Sequence, residues 1–141
     1  MTASEVNYIY KIVPASAPPP DPLPHRLPVS KLDSDDRFIH LSTSIQVSRT
    51  LNKFFGNDSS VYLLRIPYIR VVENIKWEGL DGAVGTPGEE GKFPHLRNDD
   101  GQGLKLGRDE VESVKEVVKG AGEDTWDSAL NAIEQAGWLV Y

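Results

Sequence analysis

Asp36-Arg37-Phe38-Ile39-His40-Leu41-Ser42-Thr43 sets an imidazole and two hydroxyls at the exit of a short apolar run. Phe38, Ile39 and Leu41 favour a pleated, half-buried strand, in which alternate side chains share a face. His40 and Ser42 are therefore expected to point the same way. Imidazole and hydroxyl each donate or accept a hydrogen bond, so the pair suits a ribose, a phosphate or a water. A hydrogen-bonded structural histidine is the plain alternative.

Downstream, Ser42, Thr43 and Ser44 are all competent helix caps, and Val47, Leu51, Phe54 and Phe55 recur at the spacing of one apolar helix face. This predicts a helix from Ser44 to Phe55, ended by Gly56-Asn57-Asp58 through a left-handed turn. The helix start then lies beside His40, where free N–H groups favour an anion, although capping accounts for the hydroxyls equally well.

Upstream, Tyr8 to Val13 reads as a strand stopped by Pro14. Seven of the ten prolines fall from Pro14 to Pro28, which predicts an extended surface loop and, as a less favoured alternative, a ligand for a proline-recognising partner. Ser34-Asp35-Asp36 reads as a polar turn feeding the His40 strand.

Further along, Val61 to Ile66 is nearly all apolar before Pro67, the pattern of a central strand covered on both faces. Ile69 to Asn74 crosses over, and Ile75 to Glu78 forms a short strand ended by Gly79. The segment from Gly79 to Gly107 holds eight of the twelve glycines and reads as a long loop around Phe93-Pro94-His95-Leu96. Those glycines form no phosphate-binding signature, since no Lys-Ser/Thr pair follows a strand-to-helix turn. Asp109 to Lys119 is ambiguous between helix and strand. Asp124 or Thr125 then caps a final helix carrying Trp126, Leu130 and Ile133, ended by Gly137.

Composition narrows the function classes. The 141 residues fit a single domain, with 39% hydrophobic and 26% charged residues. A net charge of −6 argues against broad nucleic-acid binding but leaves room for a local nucleotide site. No cysteine is present, which removes disulfides, thiolate nucleophiles and Cys-type zinc sites. His25, His40 and His95 are too few for a His-dominated metal centre, so no metal is expected. No apolar run is long enough for a membrane span or a secretory signal, and the expected location is cytoplasmic.

The motifs Lys31-Leu32-Asp33, Arg37-Phe38-Ile39-His40-Leu41-Ser42-Thr43, Val61-Tyr62-Leu63-Leu64-Arg65-Ile66, Ile75-Lys76-Trp77-Glu78 and Phe93-Pro94-His95-Leu96 occur in the order of a known family. The chain resembles the domain-of-unknown-function 952 family over about residues 8–118, with a helix and tail over about 124–141 as an addition. That family resembles a divergent ADP-ribosyltransferase. The resemblance implies an α+β fold, a compact split, curved and mostly antiparallel sheet with flanking helices, and it makes Val114 to Val118 a strand. It further implies that His40 and Ser42 hold the nicotinamide-side ribose and amide of NAD. The family's second motif ends Phe-Pro-His-Leu-Tyr, whereas Arg97 stands here at the tyrosine position. An arginine there suits phosphate oxygens, and it is equally read as a neutral surface change.

On that basis His40, Glu78 and His95 are the candidate catalytic residues, and His40, Ser42, Thr43, Trp77 and Arg97 the candidate nucleotide contacts. Glu78 is the candidate acid beside an oxocarbenium-like ribose. The expected function is binding of NAD, as substrate, or of a related small nucleotide, with transfer or hydrolysis of ADP-ribose. Two alternatives stand beside it. A two-histidine phosphoesterase uses paired His-x-Ser/Thr motifs as acid and base, but His95-Leu96-Arg97 lacks the second hydroxyl. A non-catalytic nucleotide binder needs neither.

Overall fold

Val61 and Leu63 on one side, and Leu64 and Ile66 on the other, are buried in two separate hydrophobic clusters, so one strand organises the whole packing. The computed structural model describes residues 5–141. That strand, β3 (Ser60–Pro67), lies between β1 (Tyr8–Pro14) and β7 (Ser113–Val118) in a three-stranded antiparallel sheet. A second antiparallel sheet runs in the order β2 (Ile39–His40), β6 (Phe93–Leu96), β4 (Ile75–Glu78), β5 (Val84–Gly85). The helices are α1 (Lys31–Asp36), α2 (Ser44–Phe54) and α3 (Asp127–Gln135), with 3₁₀ turns at Tyr68–Arg70 and Val72–Asn74. The molecule is thus mixed α/β, with antiparallel sheets and few helices.

The burial pattern places the layers. Val47 and Leu51 of α2, and Leu130 with the fully buried Trp126 at the start of α3, pack with Tyr10, Val61 and Leu63 on one face of the first sheet. Ile39, Trp77 and Leu96, from the inner face of the second sheet, pack with Ile9, Leu64 and Ile66 on the other. Burying each such large apolar side chain contributes about 1.5–3 kcal/mol. The second sheet therefore turns its apolar face to the core and its other face outward, where Phe38 and Arg97 partly cover it.

One proline explains where the chain changes sheet. The Pro94 carbonyl accepts a hydrogen bond from Leu41 N at 3.2 Å, but proline has no N–H to return to Leu41. Pairing with β6 ends there, and Ser42 instead exchanges two backbone bonds with Tyr10 of β1, at 2.7 and 2.9 Å. The two sheets are joined immediately after His40.

Several local expectations need correction. Ser34-Asp35-Asp36 belongs to helix α1, because the Ser30 side chain accepts from Asp33 N as an N-cap and Arg37, at φ 65°, supplies the left-handed C-cap. Phe93–Leu96 is a strand paired on both sides, not part of a loop. Helix α2 ends on Phe55 at φ −123° and ψ 25°, and neither Gly56, Asn57 nor Asp58 has a positive φ. Helix α3 follows Trp126, whose own side chain makes no cap; the Thr125 hydroxyl instead accepts from Asp127 N at 3.4 Å, Asp124 takes no part, and Gly137 terminates the helix at φ 78°. Its tail docks through the Tyr10 hydroxyl, which accepts from Val140 N at 2.8 Å and donates to Val140 O at 2.9 Å. The Val114 to Val118 strand matches β7, and the Pro14 to Pro28 segment has no helix or strand beyond Pro14 itself.

Candidate functional site

His40 and His95 are direct cross-strand partners on β2 and β6, and directly opposed residues of an antiparallel pair share a face. Their ring centroids lie 5.6 Å apart, edge to face. Phe38, two residues before His40, stacks on His95 at 3.9 Å and leans on His40 at 4.4 Å. The Arg97 guanidinium lies 4.7 Å from the Phe38 ring centroid. All four side chains thus meet on the outer face of the second sheet.

Each imidazole is oriented by its own carboxylate. His40 Nδ1 donates to Asp33 Oδ1 at 2.6 Å, and His40 N donates to the same oxygen at 3.2 Å. Asp33 Oδ2 receives Lys11 Nζ at 2.6 Å, and Lys11 also donates to the His40 carbonyl. Asp33 is therefore a buried anion, its side chain 3% exposed, shared between β1 and β2. Burial alone would raise its pKa, but His40 and Lys11 outweigh burial and hold the carboxyl below its ordinary value.

His95 Nδ1 donates to Glu78 Oε1 at 3.0 Å. Glu78 also takes a two-point grip from Arg97, Nε to Oε1 at 2.9 Å and Nη2 to Oε2 at 3.2 Å. Burial works to raise Glu78, and Arg97 and His95 reverse it, so its carboxyl also sits below the usual range. For His95 the balance tips the other way. Burial lowers its pKa, Glu78 only partly offsets this, and nearby His40 and Arg97 add to the lowering. The Nδ1 proton is fixed by an acceptor-only partner, so neutral His95 presents Nε2 as a lone pair, a base by construction.

The outer nitrogen of His40 differs. Its Nε2 lies 3.0 Å from Asp36 Oδ2, close enough for an ion pair though not aligned as a hydrogen bond. Asp36 is the last residue of α1 and its side chain is 43% exposed.

The remaining expected residues divide by strand alternation. Trp77 precedes Glu78 on β4 and so faces the opposite way: it is buried in the core, donating Nε1 to the Tyr68 hydroxyl at 3.0 Å, and is no part of the histidine face. The Thr43 hydroxyl accepts from Gln46 N in a capping box and is spent on helix α2. Ser42 is buried at the switch between sheets, where its backbone pairs with Tyr10. His25 lies apart on an exposed loop, 3.4 Å from Asp109. Cavities of about 520 Å³, against Pro19, Tyr62 and Val114, and about 430 Å³, against Tyr8, Tyr68 and Ile69, are lined by none of the site residues. Among the described residues no three His, Cys, Asp or Glu are grouped to hold a metal ion, and no helix is long and apolar enough to cross a membrane.

Sequence reasoning overlooked Lys11, Asp33, Asp36 and Phe38. A signal for two of them was present: Ser30-Lys31-Leu32-Asp33 has the Ser-x-x-acid form of a helix start, and a helix there sends Asp33 and Asp36 to one side, toward His40.

A family model described as a protein of unknown function, DUF952, matches residues 24–114. The chain belongs to this DUF952 family. The matched segment contains every residue of the two imidazole–carboxylate pairs and stops inside β7. The crystal structure of protein CC0527 from Caulobacter crescentus is similar, with 27% identity and a TM-score of 0.60 over 88% of this chain and 98% of that one. Its solution NMR structure gives 28% identity and a TM-score of 0.57, over 81% and 87%. No curated protein matches the chain.

Proposed function

We propose that this DUF952 domain binds NAD or a related small nucleotide across His40 and His95 and acts as an ADP-ribosyltransferase-like enzyme that transfers or hydrolyses ADP-ribose. The reading is carried by one observation: two imidazoles, oriented through Nδ1 by separate carboxylates, lie opposite each other on the outward side of a sheet, beside the seam of a split antiparallel fold. In such a transfer the glycosidic C–N bond breaks, nicotinamide leaves with the electron pair, and an acceptor O–H attacks the ribose carbon while losing its proton. His95 Nε2 is the group suited to take that proton. Glu78, committed to His95 and Arg97, acts as a positioning residue and not as the acid that touches ribose.

A second reading is favoured by the same two pairs, since His95 Nε2 as a base and His40 Nε2, beside Asp36, as an acid are the pairing that opens a cyclic phosphate. Both are tested by incubating the protein with NAD and with 2′,3′-cyclic AMP and measuring nicotinamide and 2′- or 3′-AMP. Nicotinamide release that falls by about 10²–10⁴ in His95→Ala supports the transferase. Cyclic-ester cleavage without nicotinamide release replaces it with the phosphoesterase. Calorimetric binding of NAD with neither product reduces the domain to a binder, and absence of binding and turnover removes all three.

A further inference from the structure

The outer face of the second sheet is electrically lopsided. Around His40 the charges are Asp33, cancelled by Lys11, and Asp36 at the rim. Around His95 they are Glu78, held by Arg97, and Lys76. Lys76 is the direct cross-strand partner of His95 on β4 and is exposed, so it stands on the same face as Glu78, two residues on. It has no ion pair or side-chain hydrogen bond among the described residues. One end of the face therefore carries an uncompensated carboxylate beside the His40 imidazole, and the other an uncompensated ammonium on the strand next to His95, on the same face as the Glu78 that holds Arg97.

We infer that Lys76 and Arg97 form the phosphate end, and His40 with Asp36 the hydroxyl end, of a single ligand track, so that the site takes a phosphorylated sugar in one orientation. This deepens the nucleotide reading above and rests on it. An acceptor carboxylate 3.0 Å from an imidazole nitrogen matches a hydroxyl, which donates to one and accepts from the other. A phosphate is acceptor-only and anionic, and Asp36 repels it. Asp36 sits in the last turn of α1, where the helix dipole also disfavours a negative charge and no basic residue offsets it. Among the described residues its carboxylate pairs only with the His40 edge, and its side chain is 43% exposed, so it can meet a ligand there. At the other end Arg97 keeps two nitrogens on Glu78 and Lys76 keeps its full charge for phosphate oxygens.

The test is NMR titration of the full chain at low salt with inorganic phosphate, D-ribose and ADP-ribose. Phosphate is expected to perturb Lys76 and His95 signals before those of His40, and ribose the reverse. Lys76→Ala should weaken phosphate and ADP-ribose about two- to fivefold, an effect that fades as salt is added. Asp36→Asn should weaken ADP-ribose by a similar factor while making His40 respond to phosphate. Phosphate appearing first at His40, or Lys76→Ala leaving phosphate affinity unchanged, overturns the assignment. If phosphate follows the expected pattern but ADP-ribose, NAD and 2′,3′-cyclic AMP bind no more tightly than phosphate, the track stands and the nucleotide reading falls. Nucleotide binding indifferent to both substitutions has the opposite meaning, and no binding by any probe overturns both.

Discussion

The two sheets share antiparallel pairing but use their faces differently. In the first, β3 is covered on both sides, by α2 and α3 on one and by the second sheet on the other. In the second, Ile39, Trp77 and Leu96 point into the core, while His40, Glu78, His95 and Arg97 share the side turned away from it. A sheet buried on both faces can only add stability. One with an outward face can hold ionisable groups in fixed geometry and still meet a ligand.

The sharpest test of this division is Leu64→Ala at the centre of β3, expected to cost about 2–5 kcal/mol in denaturant unfolding. The folded fraction should keep the wild-type affinity for whichever nucleotide binds. A loss of affinity in that fraction would break the separation between a stabilising sheet and the sheet proposed to bind.

Next comes Asp33→Ala, which strips Lys11 and His40 of a common partner. Both stay partly solvated, so the expected cost is about 2–3 kcal/mol, below the range for a fully buried pair. Unlike Leu64→Ala, it should also release the His40 ring and weaken ligand binding. A variant as stable as wild type would place Asp33 outside the joint between the sheets.

Glu78→Gln should cost only about 1 kcal/mol, because Arg97 remains partly in water. Its clearer signature is at His95. The Glu78 carboxylate raises the proton affinity of that ring, so the glutamine variant should titrate at lower pH in ¹H–¹⁵N spectra. An unmoved titration would remove Glu78 as the group that orients and tunes His95.

On the acid side the pH dependence of stability has one sign. Asp33 and Glu78 have lowered folded-state pKa values, so their contribution is present above the ordinary carboxylate pKa of about 4 and is lost as pH falls through the folded values. His95 is also lowered, so below about 6.5 the unfolded chain takes the proton more readily and the folded state loses ground. Melting temperature should therefore fall in two stages on acidification, and the first should vanish in His95→Gln.

The first sheet was the more legible in the sequence for a physical reason. A strand covered on both faces is a nearly continuous apolar run, which Val61 to Ile66 displays with only Arg65 as an exception. Strand β6 was hidden by Pro94, tolerated in a paired strand only because its missing donor falls where β2 stops. Helix α1 was hidden by its acidic composition, which resembles a turn until Ser30 is recognised as its cap. The pairing of His40 with His95 is a fact of tertiary register and no local pattern contains it. Naming both Trp77 and Glu78 to one site overlooked that neighbours on a strand face opposite sides, a constraint available before any coordinates.

The carboxylate of Asp33 ties Lys11 in one sheet to His40 in the other through its two oxygens. Any event that alters the charge or tilt of that imidazole is transmitted along the shared anion to β1. The backbone amides of Tyr10, Lys11 and Ile12 thus form a built-in gauge in the other sheet, on which occupancy of the proposed site would be read.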